Sequence, residues 1–125
     1  SDRVEFLGIL NGREKVFNWL DSIDIYIQPS LTEGMPRATL EAMSRGCPII
    51  STSVGGLKTL IDSEDRISIG DHNKLAARIE EISKSQDLFI DRAIRNFEIA
   101  KLYEYNKLNQ VRNEFYDQII KSLKG

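Results

Sequence analysis

The chain has 125 residues, of which 41% are hydrophobic and 29% charged, with a net charge of -2 and a pI near 5.5. That is enough for one domain, or part of one, with a real core, and the composition is ordinary for a soluble globular protein. The acidic balance leaves no basic face for nucleic acid, no run approaches the roughly 20 apolar residues of a membrane span, and the start lacks a signal peptide's apolar core.

Residues 4–7 are short and apolar and stop at Gly8, which reads as a first strand. A helix follows over residues 14–20, where Val16, Trp19 and Leu20 form one apolar stripe. Residues 23–28 are a second strand, stopped by Pro29, and a helix over 36–45 ends at Gly46 as its carboxyl-terminal cap. Residues 48–51 make the third strand, Gly55 and Gly56 open a short helix over 57–62, and residues 66–69 are a weaker fourth strand. Asp71 caps a helix carrying Leu75, Ile79 and Ile82. A second late helix has Ile90, Ala93, Ile94, Phe97 and Ala100 facing the core, and a third has Leu108, Val111, Phe115 and Ile119. Leu102-Tyr103-Glu104-Tyr105 interrupts the pattern and is expected to bend the chain between these two.

Short strands alternating with helices predict an α/β fold: a Rossmann-like parallel sheet of about four strands, helices on both faces, and two or three helices at the carboxyl terminus. Ligands of such sheets bind outside the carboxyl ends of the strands. Glu33-Gly34 and Gly55-Gly56 both fall there, so they are expected to border one cleft, unless the glycines serve only a turn with positive φ. A first strand opening at Val4 would leave an uncovered edge, so residues before Ser1 are expected to pair with it and the chain to be a piece of a larger protein. The lone Cys47 reads as a buried thiol in a reducing compartment, and His72 has no second His or Cys nearby to complete a metal site.

The chemistry concentrates between Pro29 and Met43. Pro36 suits the first position of a helix, where its missing N–H costs nothing. Met35 then takes the capping position without any side-chain oxygen to offer the free amides. An uncapped start with its positive dipole end favours a phosphate. Glu33 and Glu41 lie eight positions apart around that start, and Pro36 and Glu41 are separated by roughly 7 Å of helix axis, a length that suits a diphosphate with a sugar on each side. Against this, Arg37 and Arg45 stand four residues either side of Glu41 and could make it the centre of an exposed salt-bridge stripe, worth about 0.3–0.5 kcal/mol per pair. Glu33 could equally be a solvated loop carboxylate.

The ordered set Glu33-Gly34-Met35-Pro36, Glu41-Ala42-Met43, Gly46-Cys47-Pro48-Ile49-Ile50 and Val54-Gly55-Gly56 closely resembles the carboxyl-terminal domain of retaining GT-B glycosyltransferases of group 1, or family four, whose signature is E-x7-E. The likeness covers most of the chain and weakens after about residue 85. It implies a partial donor-binding domain over residues 1–125, with the amino-terminal acceptor domain absent. Glu33, as the catalytic residue, would meet hydroxyls of the transferred sugar. Amides around Gly34, Met35 and Pro36 would approach sugar and phosphates, Glu41 would accept from the ribose hydroxyls, and Leu40 would pack nearby. The partners implied are a nucleotide sugar and a glycan or lipid-linked acceptor, with no cofactor and no metal. The setting is the cytoplasm, at the inner face of the membrane where the acceptor is lipid-linked. Leu57-Lys58 replaces the usual Pro-Glu after the paired glycines, and the strand after it departs from the usual G-L-L-V. A sugar-nucleotide epimerase of the same fold, a flavodoxin-like or receiver-like module, and a degenerate transferase kept for protein interaction are the competing readings.

Overall fold

The computed structural model describes residues 3–124, and of residues 105–109 and 111 only the backbone. In chain order the elements are α1 (Arg13–Ser22), β1 (Tyr26–Gln28), α2 (Arg37–Ser44), β2 (Ile49–Thr52), α3 (Leu57–Leu60), a 3-10 turn (Ser63–Asp65), β3 (Arg66–Ile67), α4 (His72–Lys84) and α5 (Gln86–Lys124). The strands form one parallel sheet in the order β1-β2-β3, with Tyr26 opposite Ile49 and Ser51 opposite Arg66. All four residues of β2 are buried, as expected for a central strand covered on both faces.

Successive side chains of a strand point to opposite faces, so Ile49 and Ile50 serve different cores. Ile49 joins Leu20 of α1, Ala42 and Met43 of α2, Leu57 and Leu60 of α3 and Ala100 of α5. Ile50 joins Ile67 and Ile82, with Leu75, Ile79, Leu88 and Phe89 against them, so α4 and the start of α5 cover the second face. Each such leucine, isoleucine or methionine side chain contributes about 1.5–3 kcal/mol on burial. The α/β sandwich expected from the sequence is therefore present.

Local signals end the helices where the sequence places them. Gly46, at φ +74°, follows α2, and its N–H bonds the Met43 carbonyl while that of Cys47 bonds the Ala42 carbonyl. This is a Schellman motif, which needs a residue at ease in the left-handed region. The Asp71 side chain accepts from the Lys74 N–H at 3.1 Å and starts α4. Cys47 is buried, donates to the Leu20 carbonyl and has its thiol pushed up by burial.

Four expectations are corrected. Residues 4–7 form no strand: Val4, Phe6 and Leu7 are exposed, and a strand exists only where a neighbour completes its ladder. The sheet thus has three strands among the described residues. Pro36 is the cap of α2, not its first residue, because its ψ of 81° is not helical. No bend occurs at Leu102–Tyr105: α5 runs unbroken for 39 residues, a span with neither glycine nor proline to stop it. Ile90, Ile94 and Phe97 are exposed, and the packed face of α5 instead carries Phe89, Arg92, Asn96, Ile99, Ala100 and Tyr103. Phe115 and Ile119 are exposed as well, while the side chains of Leu108 and Val111 lie outside the described residues.

Candidate functional site

Two loops leave the carboxyl ends of the adjacent parallel strands β1 and β2, and parallel pairing brings them side by side. Gly55 stands at φ +48°, and a Cβ added there would fall 1.7 Å from the Glu33 carbonyl oxygen. A Cβ on Gly56 would fall 2.5 Å from the Gly34 carbonyl oxygen and 3.0 Å from Pro36 Cδ. Side chains are excluded from this contact, so backbone packs on backbone and the two loops are adjacent as expected.

The Glu33 loop delivers α2 through a tight turn at Pro36, where φ is -82° and the Arg37 N–H bonds the Met35 carbonyl at 3.0 Å. That is the geometry of an inverse γ-turn. The first helical bond then runs from the Leu40 N–H to the Pro36 carbonyl, and no side chain caps the turn. The uncapped start inferred from Met35 and Pro36 is thus present, one residue later than expected. Pro36 is buried, while Gly34 and Met35 are exposed.

Glu33 and Glu41 are each half-buried, and among the described residues neither carboxylate has an ion-pair partner. The salt-bridge stripe is not formed. Arg45 turns to Asp21, its Nε donating to Oδ1 at 2.8 Å and Nη2 to Oδ2, which holds the Asp21 carboxyl below its usual range. Burial pushes the Tyr26 phenol up, and the negative charges of Glu33 and Glu41 push it further. Both acids therefore bear on one side chain of β1.

Along β1 a chain of polar contacts backs the junction. Tyr26 Oη donates to Gln28 Oε1 at 2.8 Å, Gln28 Nε2 to Ser30 Oγ at 2.7 Å, and Thr52 Oγ1 to the Ser30 carbonyl at 2.6 Å. Thr39, buried on α2, reaches Gln28 Oε1 at 3.5 Å. Alternation of Tyr26, Gln28 and Ser30 at period two is the signal by which this face could have been found in the sequence.

A cavity of about 550 Å³ opens beside α2, lined by Met35, Arg37, Leu40, Glu41 and Ser44, by Arg13 of α1, and by Ala100, Tyr103, Glu104 and Gln110 of α5. Of the residues singled out from sequence it gathers Met35, Leu40 and Glu41, whereas Glu33, Gly34 and Pro36 stand outside its wall, toward the Gly55 loop. The lining from α1 and α5 carries no motif, and distance along the chain hides it. Among the described residues no three His, Cys, Asp or Glu side chains gather to hold a metal ion.

A parallel sheet covered on both faces, with loops and an opening at the carboxyl ends of its strands, defines a Rossmann-like α/β domain. Residues 1–85 match the family Glycosyl transferases group 1, and the chain belongs to it. The sucrose-phosphate synthase of Thermosynechococcus elongatus has the same fold, with a TM-score of 0.79 and 23% identity over 94% of this chain and 31% of that one. The domain is thus part of a GT-B fold. The UDP-Gal:alpha-D-GlcNAc-diphosphoundecaprenol alpha-1,3-galactosyltransferase of Escherichia coli is 41% identical over 56 residues, which are 45% of this chain and 14% of that protein. The putative colanic acid biosynthesis glycosyltransferase WcaL of Salmonella typhimurium is 34% identical over 93 residues, covering 67% and 23% respectively. The chain thus spans under a quarter of the length of either relative. Among the described residues no helix is long and apolar enough to cross a membrane.

Proposed function

We propose that this chain is part of the donor-binding domain of a glycosyltransferase that moves a sugar from a nucleoside diphosphate sugar to an acceptor with retention, in the assembly of a surface polysaccharide or related glycan. The observation that carries this reading is Glu41: half-buried, without an ion pair among the described residues, and set in the wall of a 550 Å³ cavity just inside an uncapped helix start. Neither neighbouring arginine pairs with it: Arg45 is held by Asp21, and Arg37 makes no ion pair among the described residues.

In this reading Glu41 accepts from the ribose hydroxyls, with Leu40 packing beside it. Amides around Gly34, Met35 and Pro36 approach the phosphates and sugar, and Glu33 holds hydroxyls of the transferred sugar. The departing diphosphate is stabilised electrostatically and takes the acceptor's proton on the face it leaves. No cofactor is required. The chain spans under a quarter of the length of the E. coli and Salmonella relatives, so transfer is proposed for a protein that contains this domain and not for the 125 residues alone. Acceptor and enzyme meet at the cytoplasmic face of a membrane where the acceptor is lipid-linked. The E. coli and Salmonella relatives support this assignment by name.

Calorimetric titration of the chain with uridine and guanosine diphosphate sugars tests it. Binding of one class is expected, weakened about 10–100-fold in Glu41→Ala, the range for losing hydrogen bonds to a charged group. Failure of every such sugar to bind overturns the proposal.

A further inference from the structure

Two guanidinium groups line the cavity that holds Glu41. Arg13 lies over the Phe17 ring, 4.9 Å from its centroid, a contact that anchors it on α1 while leaving its in-plane N–H donors free. Arg37 differs: among the described residues it has neither an ion pair nor a ring partner. Glu41, four residues further along the same helix, does not take it, although that spacing permits a pair. Arg45, the other arginine at this spacing, is spent on Asp21. The α2 side of the wall therefore presents a free cation and a free carboxylate about 6 Å apart along the axis of α2, with Arg13 of α1 and Glu104 of α5, which has no ion pair among the described residues, completing the lining.

A wall so polarised complements a ligand that is anionic at one end and offers hydroxyl donors at the other, with about a sugar ring between. A nucleoside diphosphate has that form: the ribose diol suits Glu41, and the phosphates suit a planar guanidinium that can donate two parallel hydrogen bonds. We infer, resting on the donor-site reading above, that Arg37 is a specificity-determining residue of this chain that grips the diphosphate and separates it from an uncharged nucleoside. It supplies positive charge from within α2.

The test is calorimetric titration of the chain with UDP, GDP, uridine and guanosine. Unsubstituted protein is expected to prefer a diphosphate to its nucleoside. Arg37→Ala narrows that preference about tenfold, as loss of a charge-assisted phosphate contact should, while nucleoside affinity holds within about twofold. Arg37→Lys restores part of the preference. Glu41→Ala weakens nucleoside and diphosphate alike. Lys74→Ala removes one positive charge from α4 on the far side of the sheet and leaves every affinity unchanged. An unaltered preference in Arg37→Ala, with Glu41→Ala still weakening binding, overturns the role of Arg37 and leaves the donor-site reading standing. An equal loss in Lys74→Ala overturns it too, since bulk charge would then be the cause. If neither nucleotide binds the unsubstituted chain, both fall.

Discussion

The Glu33 carbonyl oxygen occupies the space that any side chain on Gly55 would need, 1.7 Å from the position of its Cβ. The loop bearing the first acid thus rests directly on the turn after β2. Gly55→Ala must move one of two backbones and hold a left-handed φ, and is expected to destabilise the fold by about 2–4 kcal/mol, overpacking added to backbone strain. Gly46→Ala also has a positive φ but open space around it, and should cost only about 1 kcal/mol. Thermal denaturation of both compares them. Equal losses would mean that the Glu33 contact is absent.

Tyr26 reports on the acids without any ligand. Its phenol titrates above the usual value because of burial and then of Glu33 and Glu41. The raised value favours the neutral phenol, so its contribution to stability is present below pH about 10 and is lost as pH rises through the folded-state value. Glu33→Gln and Glu41→Gln should each bring the Tyr26 titration downward, read from its ring carbon shift by NMR. An unmoved titration in both variants would show that neither carboxylate faces Tyr26.

Asp65 is 1% exposed and meets Arg78 at 2.7 Å and Arg92 at 3.3 Å, both largely buried. Removing one partner strands charge in the interior, so Asp65→Ala should cost about 3–5 kcal/mol in denaturant unfolding. Lys84→Ala, which breaks only the exposed pair with Glu80, should cost under about 0.5 kcal/mol. Similar values for the two would contradict the burial of the Asp65 cluster.

Asn96, 1% exposed, donates to the Cys47 carbonyl at 2.9 Å and ties α5 to the segment between α2 and β2. Asn96→Ala leaves that carbonyl buried without its donor, an expected loss of about 1–3 kcal/mol. Ile94→Ala on the exposed face of the same helix should fall within about 0.5 kcal/mol of the parent. Reversal of this order, measured by urea midpoints, would place the other face of α5 against the core.

Much of the fold was legible because the signals are short-range. Gly46 ends α2 and Asp71 starts α4 through bonds to residues three to five positions away. The expected strand at residues 4–7 failed for the opposite reason: its apolar residues satisfy the pattern, but a ladder needs a neighbour that no local pattern supplies. In α5 the packed stripe includes Arg92 and Asn96, so a search for apolar periodicity chose Ile90, Ile94 and Phe97 instead.

The candidate site divides along the same line. Alternating strand and helix, the uncapped start after Met35 and the spacing of Glu33 and Glu41 are properties of adjacent residues, and the sequence alone determined them. Which charges remain free was decided by the tertiary structure: Arg45 reaches back 24 residues to Asp21, and Glu41 and Arg37 are left unpaired among the described residues, facing a cavity that α5 closes from the far end of the chain. A guanidinium can pair with any carboxylate that folding brings within reach, so its choice depends on distance in space and is invisible to distance along the chain.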